Sequence, residues 1–290
     1  MAFMKWGLVS NKLLFTISTY NQLNYTKECI ASIKKLENEG IDIDLWVFDD
    51  ASTDETAQWC IDNEISIDKS FDPRGLTHSW NRAYKRFKEN ADYKYIIIGS
   101  NDIIVPKGSI RELVDTANMW PFSVVVPFST KHGAGHNGAV QGIETIFTEL
   151  HPTYTDNPIN CQKIQDSLLN IKNIVKGQNN IYLLDPVRLK MFNGFFFMMN
   201  RKVIEYEQEN GDLFDSTKPL YKGEDEFNWT KLIPNNDFSA LCKTSFIFHY
   251  KGKSTVGFNN RDNLEEFIER RKMIDSGILV KGTNITTASK

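Results

Sequence analysis

The sequence predicts an α/β fold built on a mostly parallel central sheet, and three observations support this prediction. Residues 45–48 (LWVF) and 95–98 (YIII) are two apolar runs that each lead into acidic or small polar residues. Buried strands with ligand-facing carboxyl ends have this pattern. Segments with apolar residues at helical spacing alternate with such runs along the chain, and this alternation is typical of parallel sheets.

The first half of the chain contains most of this alternation. A strand at 13–19 (LLFTIST) precedes a helix at 25–36, where Cys29, Ile30, Ile33 and Leu36 recur at helical spacing. The next predicted elements are a strand at 45–48, a helix at about 53–63, a short strand near residue 65, a helix through 80–87, a strand at 95–98, a helix starting at Pro106 and a strand at 124–126.

The region 131–185 has a different character. Residues 132–138 (HGAGHNG) are glycine-rich and predict a loop, and a helix is expected through 164–171. We interpret the region as a helical and loop insertion beside the sheet, where such segments commonly shape substrate choice. After it we expect strands at 194–199 and 246–248, an amphipathic helix at 264–274 and a frayed polar tail at 281–290.

Composition excludes several classes of protein. Lys and Arg (34) nearly balance Asp and Glu (37), for a net charge of -3, so we expect no nucleic-acid partner. The four cysteines, Cys29, Cys60, Cys161 and Cys242, lack the spacing of a zinc site and are too few for a disulfide scaffold. No stretch approaches the roughly 20 apolar residues of a membrane span, so we expect no transmembrane segment and a cytoplasmic location.

Two acidic motifs follow predicted strands and point to a ligand site. Asp49, Asp50 and Asp54 follow the strand at 45–48, and Asp102 follows the strand at 95–98. The carboxyl ends of parallel strands meet at one edge, where α/β sheets bind ligands, and paired carboxylates there suggest a divalent metal and a phosphorylated ligand. The alternative is that these acids cap a helix starting near Thr53.

Together these motifs resemble those of the family 2 glycosyltransferases, enzymes of the GT-A fold that move a sugar from a nucleotide-sugar to an acceptor. The resemblance covers about 13–255. It implies a GT-A fold, with a Rossmann-like, mostly parallel central sheet flanked by helices. It also implies one domain over 1–290, with a nucleotide-binding half at 13–128, an acceptor and catalytic half at 129–262, and a C-terminal helix and tail at 263–290.

The resemblance also implies which residues contact the donor. The segment from Ser18 to Asn21 stands where the family places the base, with Tyr20 offering an aromatic face, and Asp50 would accept a hydrogen bond from the base. Arg74 would meet the diphosphate, although a solvated arginine in a turn is the alternative. The expected donor contacts are Ser18, Tyr20, Asp50, Arg74, Asn81, Asn101 and Gly194.

Metal and catalytic residues follow from the same resemblance. The family's acid-x-acid metal motif is matched by Ser100-Asn101-Asp102, in which the first acid is replaced. Asp102 therefore remains as the carboxylate ligand for Mn²⁺ or Mg²⁺, and His249 is a further ligand or a structural histidine. Asp225 matches the family's general base, and Glu224 beside it would raise its pKa. Taken alone, the string Gly-Glu-Asp-Glu is instead typical of a solvated acidic turn.

The implied function is an inverting, metal-assisted transfer from a nucleotide-sugar, with a UDP-sugar as the expected donor. A glycan, polysaccharide or glycoprotein is the expected acceptor. A nucleotidyltransferase acting on a sugar phosphate and a non-catalytic nucleotide-sugar-binding protein are the alternatives. The segment 18–22 (STYNQ) lacks both the glycine-rich basic loop of the former and the Gly-x-Gly-x-x-Gly turn of a Rossmann dehydrogenase.

Overall fold

A computed structural model describes residues 12–37, 39–130, 157–174, 181–183, 192–217 and 223–250. The glycine-rich loop expected at 132–138, the helix expected at 264–274 and the polar tail lie outside the described residues. The division of the chain at 128 and 262 stays a prediction.

The centre of the described structure is a sheet of nine strands in the order β3-β2-β1-β4-β8-β6-β9-β5, with β7 paired to β9. The strands are β1 (Lys12–Thr19), β2 (Ile43–Asp49), β3 (Ser66–Lys69), β4 (Tyr93–Ser100), β5 (Ile103–Ile104), β6 (Val124–Ser129), β7 (Ile181–Leu183), β8 (Phe196–Asn200) and β9 (Ser239–His249).

Most of the sheet is parallel, as predicted. The strands β3, β2, β1 and β4 pair in parallel, and so do β6 and β9. β8 runs antiparallel to both of its neighbours, β4 and β6, so these two strands share one direction. The carboxyl ends of β1, β2, β4, β6 and β9 therefore lie along one edge of the sheet.

Along the chain, each described α-helix falls between two of these strands. They are α1 (Leu23–Lys34), α2 (Thr56–Asp62), α3 (Leu76–Glu89), α4 (Ser109–Met119), α5 (Cys161–Ile174) and α6 (Gly223–Phe227). α2 begins later than predicted because Asp54 accepts a hydrogen bond from the backbone N–H of Thr56 at 2.9 Å. α4 begins at Ser109, three residues after Pro106. The carbonyl of Pro106 accepts a hydrogen bond from the hydroxyl of Ser109 at 2.7 Å.

Alternate residues of the central strands are buried on opposite faces of the sheet. On one face, Leu14 of β1 and Ile96 of β4 pack with residues of α3 and α5. On the other face, Phe15 and Ile97 pack with residues of α1 and α4. Because successive side chains of a strand point to opposite faces, both faces of a parallel sheet need this apolar cover. The covered sheet fixes the position of its carboxyl edge.

Candidate active site

Asp50 holds the loop after β2 against the start of α3. Its carboxylate accepts hydrogen bonds from the backbone N–H groups of Arg74 at 2.8 Å and Gly75 at 2.7 Å. The φ angle of Gly75 is +94°, a region that favours glycine. Asp50 is 3% exposed. The described contacts of Asp50 thus shape a turn, and its predicted contact with a base stays a prediction.

The loops after β1 and β2 are joined by a second set of hydrogen bonds. The side-chain oxygen of Asn21 accepts from the N–H groups of Thr53 at 2.8 Å and Asp54 at 3.1 Å. In return, the N–H of Asn21 donates to the hydroxyl of Ser52 at 2.7 Å. Ser18 and Tyr20, two predicted donor contacts, are both buried beside this junction. The segment predicted to receive the base is therefore held as one unit with the acidic loop.

Asp49, next to Asp50, also serves this loop. Its carboxylate accepts from the N–H of Ser52 at 3.0 Å and from the hydroxyl of the same residue. Burial raises the pKa of Asp49, and the hydrogen bonds from Ser52 oppose that effect.

Asn101, part of the segment Ser100–Asp102 that matches the family's metal motif, has its amide nitrogen directed into the protein. It donates to the hydroxyls of Thr19 and Thr26, each at 3.0 Å, and to the carbonyl of Asn21 at 3.2 Å. The residue is 1% exposed. These bonds tie the end of β4 to the junction of β1 and α1, and the predicted contact of Asn101 with a donor stays a prediction.

Asp102 and His249 meet at the carboxyl edge although 146 residues separate them in the sequence. The Nε2 of His249 lies 3.3 Å from the Oδ1 of Asp102, which also accepts the hydroxyl of Ser100 at 2.7 Å. The imidazole stacks on Phe195, with ring centroids 4.4 Å apart and planes within 10°. The backbone N–H of Tyr250 donates to the carbonyl of Asp102 at 2.9 Å, which fixes the two segments together.

Gly194 connects this corner to Glu224. Its N–H donates to the Oε1 of Glu224 at 3.1 Å. A Cβ on Gly194 would lie 2.6 Å from the Cη2 of Trp80 and 2.9 Å from the Cδ of Glu224, so no larger residue fits. Asn228 anchors the helix that carries Glu224 by donating to the carbonyl of that residue at 2.7 Å. Glu224 thus has a fixed place beside the start of β8, which follows Phe195.

Two predicted residues lie apart from this corner. Asn81 is 2% exposed, and its amide accepts from the N–H groups of Leu213 at 3.1 Å and Phe214 at 2.9 Å while donating to the carbonyl of Phe214 at 2.8 Å. These hydrogen bonds support a structural role for Asn81. The predicted contact of Asn81 with a donor stays a prediction. The side chain of Arg74 is exposed and lines a separate cavity. Asp225 lies in α6, but its side chain is outside what the structure describes.

Comparison with protein families gives one match, to glycosyl transferase family 2, over residues 15–206. The chain belongs to glycosyl transferase family 2. The chain has no match among curated protein sequences.

Solved structures of similar fold include GalNAc-T7 with UDP, GalNAc and Mn²⁺, which is 12% identical in sequence and has a TM-score of 0.56. The match covers 82% of this chain and 43% of that one. S. aureus TarS 1-349 in complex with UDP is 14% identical, with a TM-score of 0.52 over 82% and 60%. The mannosyltransferase PcManGT from Pyrobaculum calidifontis, with GDP-Man and Mn²⁺, is 14% identical, with a TM-score of 0.51 over 84% and 58%. The predicted GT-A fold is confirmed. The chain spans between 43% and 60% of the length of those chains.

The donor atoms of Asp102 and His249 fit two neighbouring ligands of one metal ion. Metal–oxygen and metal–nitrogen bonds of about 2.1 Å at right angles place two ligand atoms about 3 Å apart, close to the observed 3.3 Å. No group of three or more His, Cys, Asp or Glu side chains able to hold a metal occurs within the described parts of the chain. The ion would therefore need water, substrate oxygens or further protein ligands to complete its coordination.

Sequence reasoning missed the contribution of Trp80 and Phe195 to this site. Trp80 belongs to the helix predicted through 80–87, and its indole edge reaches Gly194. Phe195 was assigned to a buried strand, and it also supports the imidazole of His249. An aromatic residue beside a glycine in an apolar run carries no local signal of such a role.

The described helices contain none that is both long and apolar enough to cross a membrane.

Proposed function

We propose that this glycosyltransferase transfers a sugar from a UDP-sugar to a glycan, polysaccharide or glycoprotein acceptor, with inversion at the anomeric carbon and with the help of a divalent ion. One observation carries the proposal. Asp102, His249, Gly194 and Glu224 form a continuous corner at the carboxyl edge of the sheet, where α/β sheets bind ligands. Family membership favours transfer over a nucleotidyltransferase or a non-catalytic binding protein.

Similar structures support the type of donor. Two of the three described above contain UDP and the third contains GDP-Man. A nucleoside diphosphate is therefore a shared feature of their sites, and uracil is the base in two of the three. We extend this feature to the present chain because its fold matches theirs along most of its length.

Manganese is the ion we propose, held by Asp102 and His249. A carboxylate suits both Mg²⁺ and Mn²⁺, whereas an imidazole ligand favours a transition ion over Mg²⁺. When bound, the ion would neutralise charge on the departing diphosphate. Phe195 fixes the plane of the His249 ring, and Ser100 fixes the Asp102 carboxylate.

Asp225 is the general base in this proposal. Its carboxylate removes the proton of the acceptor hydroxyl while the oxygen forms a bond to the anomeric carbon and the bond from that carbon to the diphosphate breaks. The nucleoside diphosphate leaves on the opposite face, which inverts the configuration. α6 supplies this residue next to Glu224, whose position the N–H of Gly194 defines.

The metal role can be tested by calorimetry with UDP in the presence of Mn²⁺ or a chelator. We expect tighter binding with Mn²⁺ in the native protein and equal binding under both conditions in Asp102→Ala. Asp92→Ala, which removes an exposed aspartate before β4, is the matched control and should keep the difference. Equal UDP affinity with Mn²⁺ and chelator in the native protein would show that the metal role is wrong.

The donor assignment can be tested by competition between nucleotides. We expect UDP to compete better than ADP, and Asp50→Ala to cost about 1 to 3 kcal/mol of UDP affinity. Asp50 also holds the turn at Gly75, so the melting temperature of the variant must be measured in parallel. Equal competition by ADP in the native protein would contradict the assignment to uridine.

We also propose a cytoplasmic location. All four cysteines are buried as free thiols, including Cys29 and Cys60 of the amino-terminal half. Free buried thiols are typical of proteins from reducing compartments.

A further inference from the structure

The outer face of α3 contains a cavity of about 220 Å³ that the corner at Asp102 does not include. His78, Arg82 and Lys85 recur there at helical spacing, so they share one face of the helix. Trp80 lies on a different face, towards Gly194. The lining residues are Arg74, His78, Asn81, Arg82, Lys85, Asp212 and Ser216.

The lining is rich in positive charge. It includes three basic side chains, those of Arg74, Arg82 and Lys85, and one carboxylate, Asp212. Ion pairs hold two of the cations in place: Lys85 lies 3.0 Å from Asp212, and Arg82 lies 2.7 Å from Asp68. Arg74 is held by its backbone N–H, which donates to Asp50, and its exposed guanidinium extends from this fixed point.

Arg82 has a buried donor without an acceptor. Its two terminal nitrogens donate to Asp68 and to the carbonyl of Asp49, but its Nε has no hydrogen-bond partner within the described residues. A buried unpaired N–H costs about 1 to 3 kcal/mol. The guanidinium of Arg82 also lies over the ring of Phe48, 5.7 Å from its centroid. Arg86, one turn later, likewise has an unpaired Nε, and its guanidinium stacks on Trp46 at 3.1 Å.

His78 reports the electrostatic character of this cavity. Burial lowers its pKa, and the neighbouring charges of Arg82 and Arg74 lower it further, against the opposite effect of Asp50 and Asp212. The ring is thus neutral near pH 7 and can accept or donate a hydrogen bond without adding charge.

We propose that this cavity, defined by Arg74, His78, Arg82 and Lys85, binds a phosphate group. Guanidinium groups recognise phosphate oxygens through paired hydrogen bonds, and Arg74 contributes an exposed guanidinium to the lining of this cavity. The volume is below the roughly 300 to 1,000 Å³ of sites for drug-sized ligands. The cavity therefore accommodates one phosphorylated group and not an entire nucleotide-sugar.

Inorganic phosphate is the probe that tests this site, with the ring protons of His78 followed by NMR. We expect added phosphate to shift the His78 resonances and to raise its pKa, because a nearby anion favours the charged imidazole. Arg74→Gln should weaken phosphate binding about tenfold, since one charge-assisted hydrogen bond is lost. The variant keeps the backbone bond to Asp50, so the fold should be retained.

Lys34→Gln is the matched control because it removes one positive charge at the end of α1. It should leave phosphate binding at His78 unchanged. The proposal is overturned if phosphate does not shift His78 in the native protein, or if Arg74→Gln and the native protein bind phosphate equally.

A second pair of titrations identifies the source of the phosphate. If saturating UDP abolishes the phosphate-induced shift and uridine does not, the cavity holds the donor's diphosphate. If the shift persists with UDP bound, the phosphate belongs to a second ligand, such as a phosphorylated acceptor. These titrations measure binding alone, so a failure to detect sugar transfer would leave their result unaffected.

Discussion

Two buried aspartates at opposite edges of the sheet have contrasting surroundings. Asp237 precedes β9 at the amino edge, and its carboxylate accepts from Ser123, from Tyr206 at 2.7 Å and from Lys202 at 2.9 Å. Asp102 follows β4 at the carboxyl edge and faces the ring of His249. Both are nearly inaccessible, with 3% and 2% exposure.

The difference separates an acid that supports stability from the acid that we propose to act in the reaction. Several hydrogen bonds from one cation and two hydroxyls surround Asp237, a set that favours the ionised form and ties β9 to β6. Asp102 instead faces an imidazole, a group that commonly binds metal ions. Burial alone therefore does not identify a functional acid, and the chemistry of the groups facing it is more informative.

The largest expected effect concerns the base proposed for the carboxyl edge. Asp225→Asn preserves size but cannot accept the acceptor's proton, so turnover should fall about 10²- to 10⁴-fold while donor affinity changes little. Steady-state kinetics and UDP calorimetry on the same preparation measure both quantities.

Glu226→Gln, one residue further along α6, is the control and should keep native turnover. The anomeric configuration of the product, determined by NMR, is an independent check. Native turnover in Asp225→Asn, or a product that retains the donor's configuration, would rule out the inverting mechanism.

At the amino edge, Asp237→Ala should reduce stability without reducing chemistry. Ser123 and Tyr206 would lose a buried acceptor, and each unsatisfied hydroxyl costs about 1 to 3 kcal/mol, so we expect a loss of about 3 kcal/mol. Denaturant unfolding measures the loss, and turnover is compared per folded molecule. A fall in turnover of the folded variant would remove the distinction between the two edges.

The sequence was sufficient to predict the mostly parallel sheet and to nominate candidate site residues, because both depend on local patterns. Apolar runs located β1, β2 and β4, and their polar ends located Asp50 and Asp102. The partners of these acids were not predictable. Asp50 binds N–H groups 24 and 25 residues away, and only the folded chain brings those groups to it.

Asn101 and β8 illustrate the same limit. A residue following a strand can point to the ligand edge or into the protein, and Asn101 has its amide nitrogen directed inwards because Thr19 and Thr26 offer acceptors there. β8 was predicted as a buried strand, but its antiparallel direction depends on the path of the chain before it. Neither property is encoded in a short window of sequence.

Gly194→Ala should test the contrast between the amino and carboxyl edges of the sheet, because it disturbs only the carboxyl edge. The added methyl group would lie 2.6 Å from Trp80 and 2.9 Å from Glu224, and such overpacking costs about 1 to 3 kcal/mol. We expect lower turnover as well, because Glu224 must move. Adding Trp80→Phe removes the closer contact and should restore part of both losses. A double-mutant cycle without coupling would show that Trp80 does not limit this position.

The smallest expected effect is on acid stability, and it depends on Asp237. Burial alone would raise the pKa of Asp237, but hydrogen bonds from Ser123, Tyr206 and Lys202 outweigh it and lower the pKa below the ordinary value of 3.8. The unfolded chain then binds a proton more readily than the folded one, so Asp237 stabilises the fold above about pH 4 and this contribution is lost as the pH falls through the lowered value. Each unit of lowering corresponds to about 1.4 kcal/mol, and the 40% exposure of Lys202 reduces its share through solvent screening. Urea unfolding of the native protein and of Asp237→Asn between pH 7 and pH 3 measures the contribution of Asp237 to the free energy of unfolding. The variant should lose less stability over that interval, and an equal loss in both proteins would show that Asp237 does not contribute to acid unfolding.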